Sequence, residues 1–297
     1  MFLWSSKKWS FIPWSELQLG NNRNFQSEVS LVPALWQGTP VMIKFVEKNV
    51  DTESERMLRN EIKMVKTLSH PSIPEYYGWG ETEKELYLVM ELLKGASLEK
   101  MRSTLKGQYA KVSELFYRCV EAVEYLHSRN IIHRDLKPSN FFVVKGGSSI
   151  KVLDFGVAKS FRANTTLTGD TGSYWYMAPE VISDGYVENE KQYDMKADIY
   201  SMGIILNELL TGVMPYAEYL EETPWQIANT VLRHNLRPQL VSDCPCLTEF
   251  QSLIQACWAT DPESRPNISQ VRNEMLQILK KMDIDVKDHN KGSCSLQ

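Results

Sequence analysis

Two short polar motifs, separated by apolar segments, constrain this chain more than any other feature of its sequence. Residues 133–140 read HRDLKPSN, and residues 154–156 read DFG. The apolar runs 141–144 and 150–153 between them predict a β-hairpin that turns at two consecutive glycines. The motifs supply a carboxylic acid, a cation and oxygen ligands in a fixed order. We therefore expect the rest of the chain to be organised around this stretch.

Composition places the chain among ordinary globular proteins. It has 297 residues, of which 43% are hydrophobic and 24% are charged, and its net charge of -4 gives no reason to expect a nucleic-acid partner. The five cysteines lack metal-ligand spacing beside histidines, so we expect neither a zinc site nor a disulfide framework. The first residues do not resemble a signal peptide, and no apolar run reaches about 18 residues. These features predict a cytoplasmic protein without a membrane span.

The secondary-structure pattern changes partway along the chain. Residues 14–93 alternate short strand-like segments with one helical segment, whereas the chain after Gly95 is mostly helical in pattern. This change predicts an α+β fold with two lobes, the first at about 14–94 and the second at about 95–282. The polar residues 283–297 are expected to form a disordered tail.

Several motifs together resemble those of protein kinases. HRDLKPSN resembles the kinase catalytic loop, DFG resembles the metal-binding triplet, and residues 41–44 (VMIK) resemble the strand that carries a phosphate-binding lysine. Residues 14–20 (WSELQLG) and 36–38 (WQG) look like segments of the tyrosine-kinase-like group. The resemblance covers about residues 14–282. It implies a bilobal kinase fold that transfers the γ-phosphate of ATP, with Mg²⁺, to serine or threonine on a protein.

The resemblance also implies roles for residues of the two motifs. Asp135 would accept or orient the proton of the substrate hydroxyl, and Lys137, typical of serine/threonine kinases, would contact the transferred phosphate. Asn140 and Asp154 would hold Mg²⁺, because carboxylate and amide oxygens suit a hard cation. These residues predict phosphoryl transfer, in which a protein mainly positions the reactants and neutralises charge.

By the same resemblance, Lys44 would clasp the α- and β-phosphates of ATP. The helical pattern over residues 52–68 carries several glutamates, and one of them is expected to pair with Lys44. We favour Glu61 over Glu53 and Glu55 because the segment that follows matches the kinase turn between helix and strand.

The resemblance also implies a nucleotide pocket formed by residues of both lobes. Met42 stands where kinases usually have a small alanine over the adenine, so the pocket should be narrower or differently shaped. The backbone of Glu91 and Leu93 would bond the edge of the adenine. The side chains expected to complete the pocket are those of Leu31, Met90 and Phe142, with Phe142 as its floor.

The largest departure from the kinase pattern is the absence of a glycine-rich loop. Residues 24–31 read NFQSEVSL, with other residues where three glycines belong, and an alternative alignment that uses Gly20 still lacks two of them. Side chains here would hold the loop away from phosphate, and Glu28 would repel it. Together with Met42, this departure supports an alternative hypothesis, that of a pseudokinase acting as a scaffold or switch.

Residues 154–180, closing at MAPE, resemble an activation segment. Four threonines in its middle are candidate phosphorylation sites, and Arg134 offers a bidentate partner for a phosphate there. These candidates are Thr165, Thr166, Thr168 and Thr171.

Two structural contacts are also implied by the resemblance. Asp198 would hold the backbone of the catalytic loop, and Arg265 would pair with Glu180.

At the end of the chain, Cys294 begins a C-a-a-X-like sequence, which suggests prenylation and reversible membrane anchoring. The alternative for this end is a plain disordered tail.

Overall fold

A computed structural model describes residues 9–20, 29–48, 52–147, 149–156, 159–160, 173–184, 194–219 and 221–286. It confirms the α+β fold with two lobes. The small lobe is a six-stranded sheet with one helix, α1 (Glu53–Val65). In the spatial order β1-β5-β6-β4-β3-β2, its strands are β1 (Ser10–Phe11), β5 (Tyr76–Glu81), β6 (Glu85–Glu91), β4 (Thr39–Glu47), β3 (Val29–Trp36) and β2 (Leu17–Leu19).

One face of the small sheet forms a closed core, and the other face packs in part against α1 and in part faces the space between the lobes. Strands β3, β4 and β6 are antiparallel, and Val32, Ile43 and Val89 lie opposite one another in a core that is almost closed to solvent. Because side chains alternate across a strand, Leu31 and Lys44, which are also paired, project from the opposite face. Strand pairing therefore sets which residues reach the cleft.

Helix α1 places a glutamate in the interior. The Thr52 side chain accepts a hydrogen bond from the backbone N–H of Glu55 at 3.4 Å, which caps the first turn. Leu58 and Ile62 are buried on the inner face of the helix, at the spacing that one face of an α-helix requires. Glu61 lies on the same face and is buried with them.

The first strand was not foreseen from the sequence. Strand β1 pairs in parallel with β5, and Ile12 just after it donates its N–H to the Trp79 carbonyl at 2.8 Å. The buried Tyr87 hydroxyl donates to the Ile12 carbonyl at 2.7 Å. A Cβ at Gly80 would lie 2.5 Å from that carbonyl oxygen, so glycine makes room for the added strand. The expected opening strand at 14–20 is shorter, because Trp14–Glu16 form a 3-10 turn before β2.

The large lobe is mainly helical, as predicted. A small sheet of β7 (Gly95–Ser97), β9 (Phe141–Val144) and β10 (Ile150–Val152) lies at its upper edge, and β8 (Ile131–Ile132) pairs with β11 (Lys159–Ser160). Among the described residues, no helix combines the length and apolar character needed to cross a membrane. The helices are α2 (Leu98–Leu105), α3 (Tyr109–Ser128), α4 (Pro179–Asp184), α5 (Lys196–Thr211), α6 (Pro224–His234), α7 (Leu247–Cys257) and α8 (Ile268–Lys281).

Helix α5 is the buried centre of this lobe. All its residues from Ala197 to Leu210 are buried, and it packs against α3 and α7. It ends at Gly212, whose φ of 65° suits a residue without a Cβ. A fully surrounded helix is a rigid support, so groups bonded to it are held in place.

The described chain continues past the last helix. Residues 283–286 belong to the segment that the sequence assigned to a tail. Ile284 and Val286 pack against the core of the large lobe, and the Ile284 N–H donates to the Leu279 carbonyl at 2.9 Å. Residues 287–297 lie outside the described part of the chain.

Candidate active site

The catalytic loop is anchored to the buried helix α5. The two carboxylate oxygens of Asp198 accept hydrogen bonds from the backbone N–H groups of His133 and Arg134, each at 2.9 Å. His127 Nε2 lies 2.9 Å from the same carboxylate. Burial alone would raise the pKa of Asp198, but its contacts with His127 and the loop lower it below its ordinary value. The predicted link between Asp198 and the loop is therefore present.

Three polar side chains of the loop converge. Asn140 Nδ2 donates to the Asp135 carbonyl at 2.7 Å and lies 3.1 Å from its carboxylate. Lys137 Nζ lies 2.9 Å from the same Asp135 oxygen, Oδ2. The amide nitrogen of Asn140 thus holds Asp135, which leaves the amide oxygen of Asn140 as an acceptor for another group.

The DFG triplet is tied to the catalytic loop. The Leu153 carbonyl lies 3.0 Å from His133 Nε2, and the buried Phe155 ring lies 5.3 Å from the His133 ring. Asp154 has a φ of 62°, and its Oδ1 accepts from the Gly156 N–H at 3.3 Å. These contacts fix where the Asp154 carboxylate points.

A chain of charges connects the two lobes. Lys44 Nζ lies 2.7 Å from Glu61 Oε2 in the small lobe and 3.1 Å from Asp154 Oδ1 in the large lobe. The three side chains differ in exposure, at 14% for Lys44, 2% for Glu61 and 42% for Asp154. The structure therefore pairs Lys44 with Glu61, as favoured from the sequence.

Burial and the attraction between opposite charges shift the pKa values of these three groups in opposite directions. Burial favours the uncharged form of Lys44, but the two carboxylates outweigh it and raise the Lys44 pKa above its ordinary value. Burial raises the pKa of Glu61, and the attraction of Lys44 offsets this only in part. Burial also opposes ionisation of Asp154, but Lys44 lowers its pKa overall. Asp154, the most exposed of the three, is held as a carboxylate facing the cleft.

The expected nucleotide-facing side chains lie on opposite sides of the cleft. Met42 pairs with Met90 across β4 and β6, on the same sheet face as Leu31, which is 58% exposed. On the other side, Phe142 lies in β9 beside Gly95, where a Cβ would come within 3.0 Å of the Phe142 ring. A Cβ at Gly95 would also lie 2.0 Å from the Val143 carbonyl oxygen, so the segment that joins the lobes passes close to β9.

The segment joining the lobes is braced by an ion pair that the sequence did not reveal. Lys151 Nζ lies 2.8 Å from the Glu91 carboxylate and donates to the Ile73 carbonyl at 3.1 Å. The Glu91 carboxylate also accepts from the Glu75 N–H at 3.0 Å, and the Glu91 N–H donates to the Glu75 carbonyl at 2.8 Å. The polar residue between two apolar ones in β10 was the only sequence signal for Lys151.

The end of the expected activation segment is held by α5. Residues 173–176 form a 3-10 turn in which the Tyr176 carbonyl accepts from the Ser201 hydroxyl at 2.8 Å. The Tyr176 hydroxyl donates to Glu208 at 2.8 Å, and Arg102 lies 2.6 Å from the same carboxyl group. Burial raises the pKa of Glu208 to about 7 despite Arg102. This group of residues was not identified from the sequence.

The predicted pairing of Arg265 with Glu180 is present. The guanidinium forms two parallel bonds to the carboxylate, at 2.6 and 2.8 Å. Arg265 is fully buried, and its Nε also donates to the Ala259 carbonyl at 2.8 Å. Because both donors and both acceptors are matched, the pair fixes the start of α4 on the lower part of the lobe.

Some candidates fall outside the described residues. They are the loop residues 24–28, the four candidate threonines Thr165, Thr166, Thr168 and Thr171, and Cys294.

Comparison with known proteins identifies the family. The family model of the protein kinase domain matches residues 24–276. The chain is similar to serine/threonine-protein kinase STY46 of Arabidopsis thaliana, with 34% identity over 271 residues, or 88% of this chain and 45% of that protein. It is 31% identical over 268 residues to serine/threonine-protein kinase VIK of Arabidopsis thaliana, covering 86% of this chain and 58% of that protein.

A third relative, serine/threonine-protein kinase 36 of Mus musculus, is 34% identical over 228 residues, or 76% of this chain and 16% of that protein. The chain thus spans less than two thirds of the length of these relatives. The domain match covers most of the chain, including most of each lobe and the charged residues of the cleft. The family predicted from the sequence is confirmed: this chain belongs to the protein kinase domain family.

Proposed function

We propose that this chain is a serine/threonine protein kinase, which transfers the γ-phosphate of ATP to a hydroxyl group on a protein with the help of Mg²⁺. The main support is the contact of Lys44 with both Glu61 and Asp154, at 2.7 and 3.1 Å. This contact joins the small lobe to the DFG triplet, which His133 ties to the loop that carries Asp135 and Asn140. The names of the similar proteins, which are serine/threonine kinases, support the same reaction.

The residues of the cleft suit a magnesium ion. Within the described part of the chain, Asp154 Oδ2 and Asn140 Oδ1 accept no hydrogen bond, and both belong to residues at the base of the cleft. A carboxylate and an amide oxygen are ligands that Mg²⁺ takes together with phosphate oxygens and water. Asp154 and Asn140 would hold the ion, which would neutralise charge on the phosphates when bound.

The nucleotide would lie between the lobes. Leu31, Met42 and Met90 would contact the adenine from the small lobe and Phe142 from the large lobe, while the backbone of Glu91 and Leu93 would bond its edge. Lys44, oriented by Glu61, would bind the α- and β-phosphates. Met42 narrows this space without closing it, because a methionine side chain adapts its shape readily.

The reaction would take place at Asp135. The carboxylate would orient the serine or threonine hydroxyl and accept its proton as the oxygen attacks the γ-phosphorus. The bond from the γ-phosphorus to the bridging oxygen would break, and ADP would leave. Lys137, 2.9 Å from Asp135, would stabilise negative charge on the transferred group.

Further properties follow as part of the proposal. Phosphorylation of one or more of Thr165, Thr166, Thr168 and Thr171 would order the activation segment through Arg134. Signalling in the cytoplasm is the setting that we propose for this activity. Prenylation of Cys294 would add reversible membrane attachment.

A transfer assay on a generic protein substrate tests the proposal. We expect the purified chain to label the substrate from ATP labelled in the γ-phosphate, and only when Mg²⁺ is present. Lys44→Met removes the charge that binds phosphate and should reduce labelling to the level without metal. The scaffold alternative is favoured if the wild-type chain, phosphorylated in its activation segment, transfers no more phosphate than this variant.

A further inference from the structure

Two cysteines flank one proline in the connection between α6 and α7. Cys244, Pro245 and Cys246 directly precede the first residue of α7, and both cysteines are free thiols that are partly exposed. The other two cysteines of the described chain, Cys119 and Cys257, are buried in the core of the large lobe, at 0% and 1% exposure. Among the described cysteines, the pair that flanks the proline is therefore the one that a reagent in solution can reach.

The short connection keeps the two cysteines close together. Two residues of chain span at most about 7 Å, and the chain bends at Cys244 and turns at Pro245 and Cys246, so their Cα atoms lie closer than this limit. Disulfide bonds join cysteines whose Cα atoms are roughly 4.4 to 6.8 Å apart. Burial raises the pKa of Cys244 to about 11, and the neighbouring Asp243 and Cys246 add to this shift. A bond between the two sulfur atoms therefore needs no large movement of the chain.

The turn that carries the pair is anchored on both sides. Before the turn, the Tyr109 hydroxyl donates to the Asp243 carbonyl at 2.9 Å. After it, the Phe250 N–H donates to the Cys246 carbonyl at 3.0 Å in the first turn of α7. Cys246 has a φ of 55°, which residues other than glycine seldom adopt, so the contacts around it determine its backbone. The folded chain thus holds the two cysteines in one arrangement.

The surroundings of Cys246 favour negative charge on its sulfur. It is the N-cap of α7, a helix of 11 residues, and within the described chain its side chain makes no capping hydrogen bond. Its thiol is therefore available at the positive end of the helix. Lys281 of α8 lies 2.5 Å from Glu249 in the first turn of α7, and its pKa is raised mainly by Glu249 and further by Cys246. A cation thus stands near this thiol.

From this placement we propose that Cys244 and Cys246 form a reversible disulfide when the protein is exposed to hydrogen peroxide. The Cys246 thiolate attacks one peroxide oxygen, the O–O bond breaks, and the hydroxide that leaves takes up a proton to become water. The sulfur of Cys244 then attacks the sulfenic acid of Cys246, so that the S–S bond forms and the S–O bond breaks with loss of a second water. Two thiols are oxidised, one peroxide is reduced to two waters, and a dithiol reductant restores the pair.

Peroxide treatment of the folded full chain, followed by iodoacetamide and mass spectrometry of its peptides, tests this inference. We expect the peptide that contains residues 244 and 246 to lose the mass of two hydrogen atoms and to take up no iodoacetamide at these positions. Dithiothreitol should restore both thiols. Cys119 and Cys257 are internal controls, because they are buried and should react with iodoacetamide only after the chain is unfolded.

Two serine variants separate the roles of the thiols. In Cys244→Ser no second thiol lies beside Cys246, so a sulfenic acid should persist there and react with dimedone. In Cys246→Ser the remaining Cys244 should be oxidised at least about tenfold more slowly than the wild-type pair, because its thiol stays protonated at neutral pH. The melting temperature of each variant shows whether it is folded.

Several results would overturn the inference. The pair has no such role if both thiols of wild type still react with iodoacetamide after the peroxide treatment, or if either forms its disulfide with Cys294 instead. Oxidation of Cys246→Ser as fast as wild type would equally contradict the role of Cys246. The assay needs neither nucleotide nor protein substrate, so its outcome is independent of the proposed kinase function.

Discussion

Glu208 is a clear case of a single residue whose pKa is shifted by burial. Its carboxyl group is 1% exposed, and it contacts Tyr176 of the activation segment and Arg102 of α2. Burial raises its pKa to about 7 from an ordinary value of 4.5. The folded protein therefore binds a proton at this position more tightly than the unfolded chain does.

This difference predicts a dependence of stability on pH. Between about pH 4.5 and pH 7 the folded chain holds more protons at Glu208 than the unfolded chain, so the free energy of unfolding falls as the pH rises. We expect this group to account for about 1 to 3 kcal/mol of that fall. Glu208→Gln cannot ionise, so its stability should fall less over the same range in urea denaturation at a series of pH values. Parallel curves for variant and wild type would contradict the shifted pKa.

Residues that belong to motifs could be predicted from the sequence. Residues whose partners lie far away in the sequence could not. Lys44, Glu61 and Asp154 were predicted because motif spacing determines their positions, and the structure brings them together. Lys151 and Glu208 were missed, because a single polar residue in a strand or helix does not show which partner it meets. Their partners, Glu91 and Arg102, lie 60 and 106 positions away in the sequence.

Among the structural elements, β1 depends on small residues in its partner strand, and Gly80 is one of them. It lies against β5, where the carbonyl of Ile12 and the ring of Tyr87 occupy the space beside Gly80. A Cβ at this position would lie 2.3 Å from the Tyr87 ring and 2.5 Å from the Ile12 carbonyl oxygen. The sheet therefore has no room for a larger residue here unless β1 or Tyr87 moves.

Gly80→Ala should displace β1 and destabilise the chain. We expect a loss of about 1 to 3 kcal/mol, the usual cost of overpacking, measured by urea denaturation. Gly20→Ala is the matched control, since a Cβ there meets nothing within 4 Å, and it should change stability by less than about 0.5 kcal/mol. Equal stability of the two variants would mean that β1 does not depend on the space at Gly80.

The elements that the sequence predicted are those with local signals. The hairpin of β9 and β10 follows from two apolar runs around two glycines, and α1 follows from its apolar spacing. Strand β1 has only two residues, and its partner β5 lies more than 60 residues away, so no local pattern reveals it. The 3-10 turn at Trp14–Glu16 takes the place of the first residues of a predicted strand. The sequence did not show this, because local pattern seldom determines where an element begins or ends.

At the scale of the whole molecule, the two lobes are linked by charged contacts on either side of the cleft. Lys44 reaches Asp154 at the inner end, and Lys151 reaches Glu91 where the chain passes between the lobes. The catalytic loop and the activation segment are both bonded to α5. The two-lobe architecture was predictable from the change of pattern near Gly95, but these contacts between distant segments required the structure.

The central claim is that this cleft carries out phosphate transfer and does not only bind a nucleotide. Asp135→Asn separates the two, because it removes the group that orients the hydroxyl while Lys44, Asn140 and Asp154 remain. By calorimetry, we expect this variant to bind Mg²⁺-ATP with the affinity of wild type. We expect its rate of phosphate transfer to be lower than that of wild type by a factor of about a hundred or more. Wild-type transfer no faster than that of Asp135→Asn, with ATP bound equally by both, would contradict the claim.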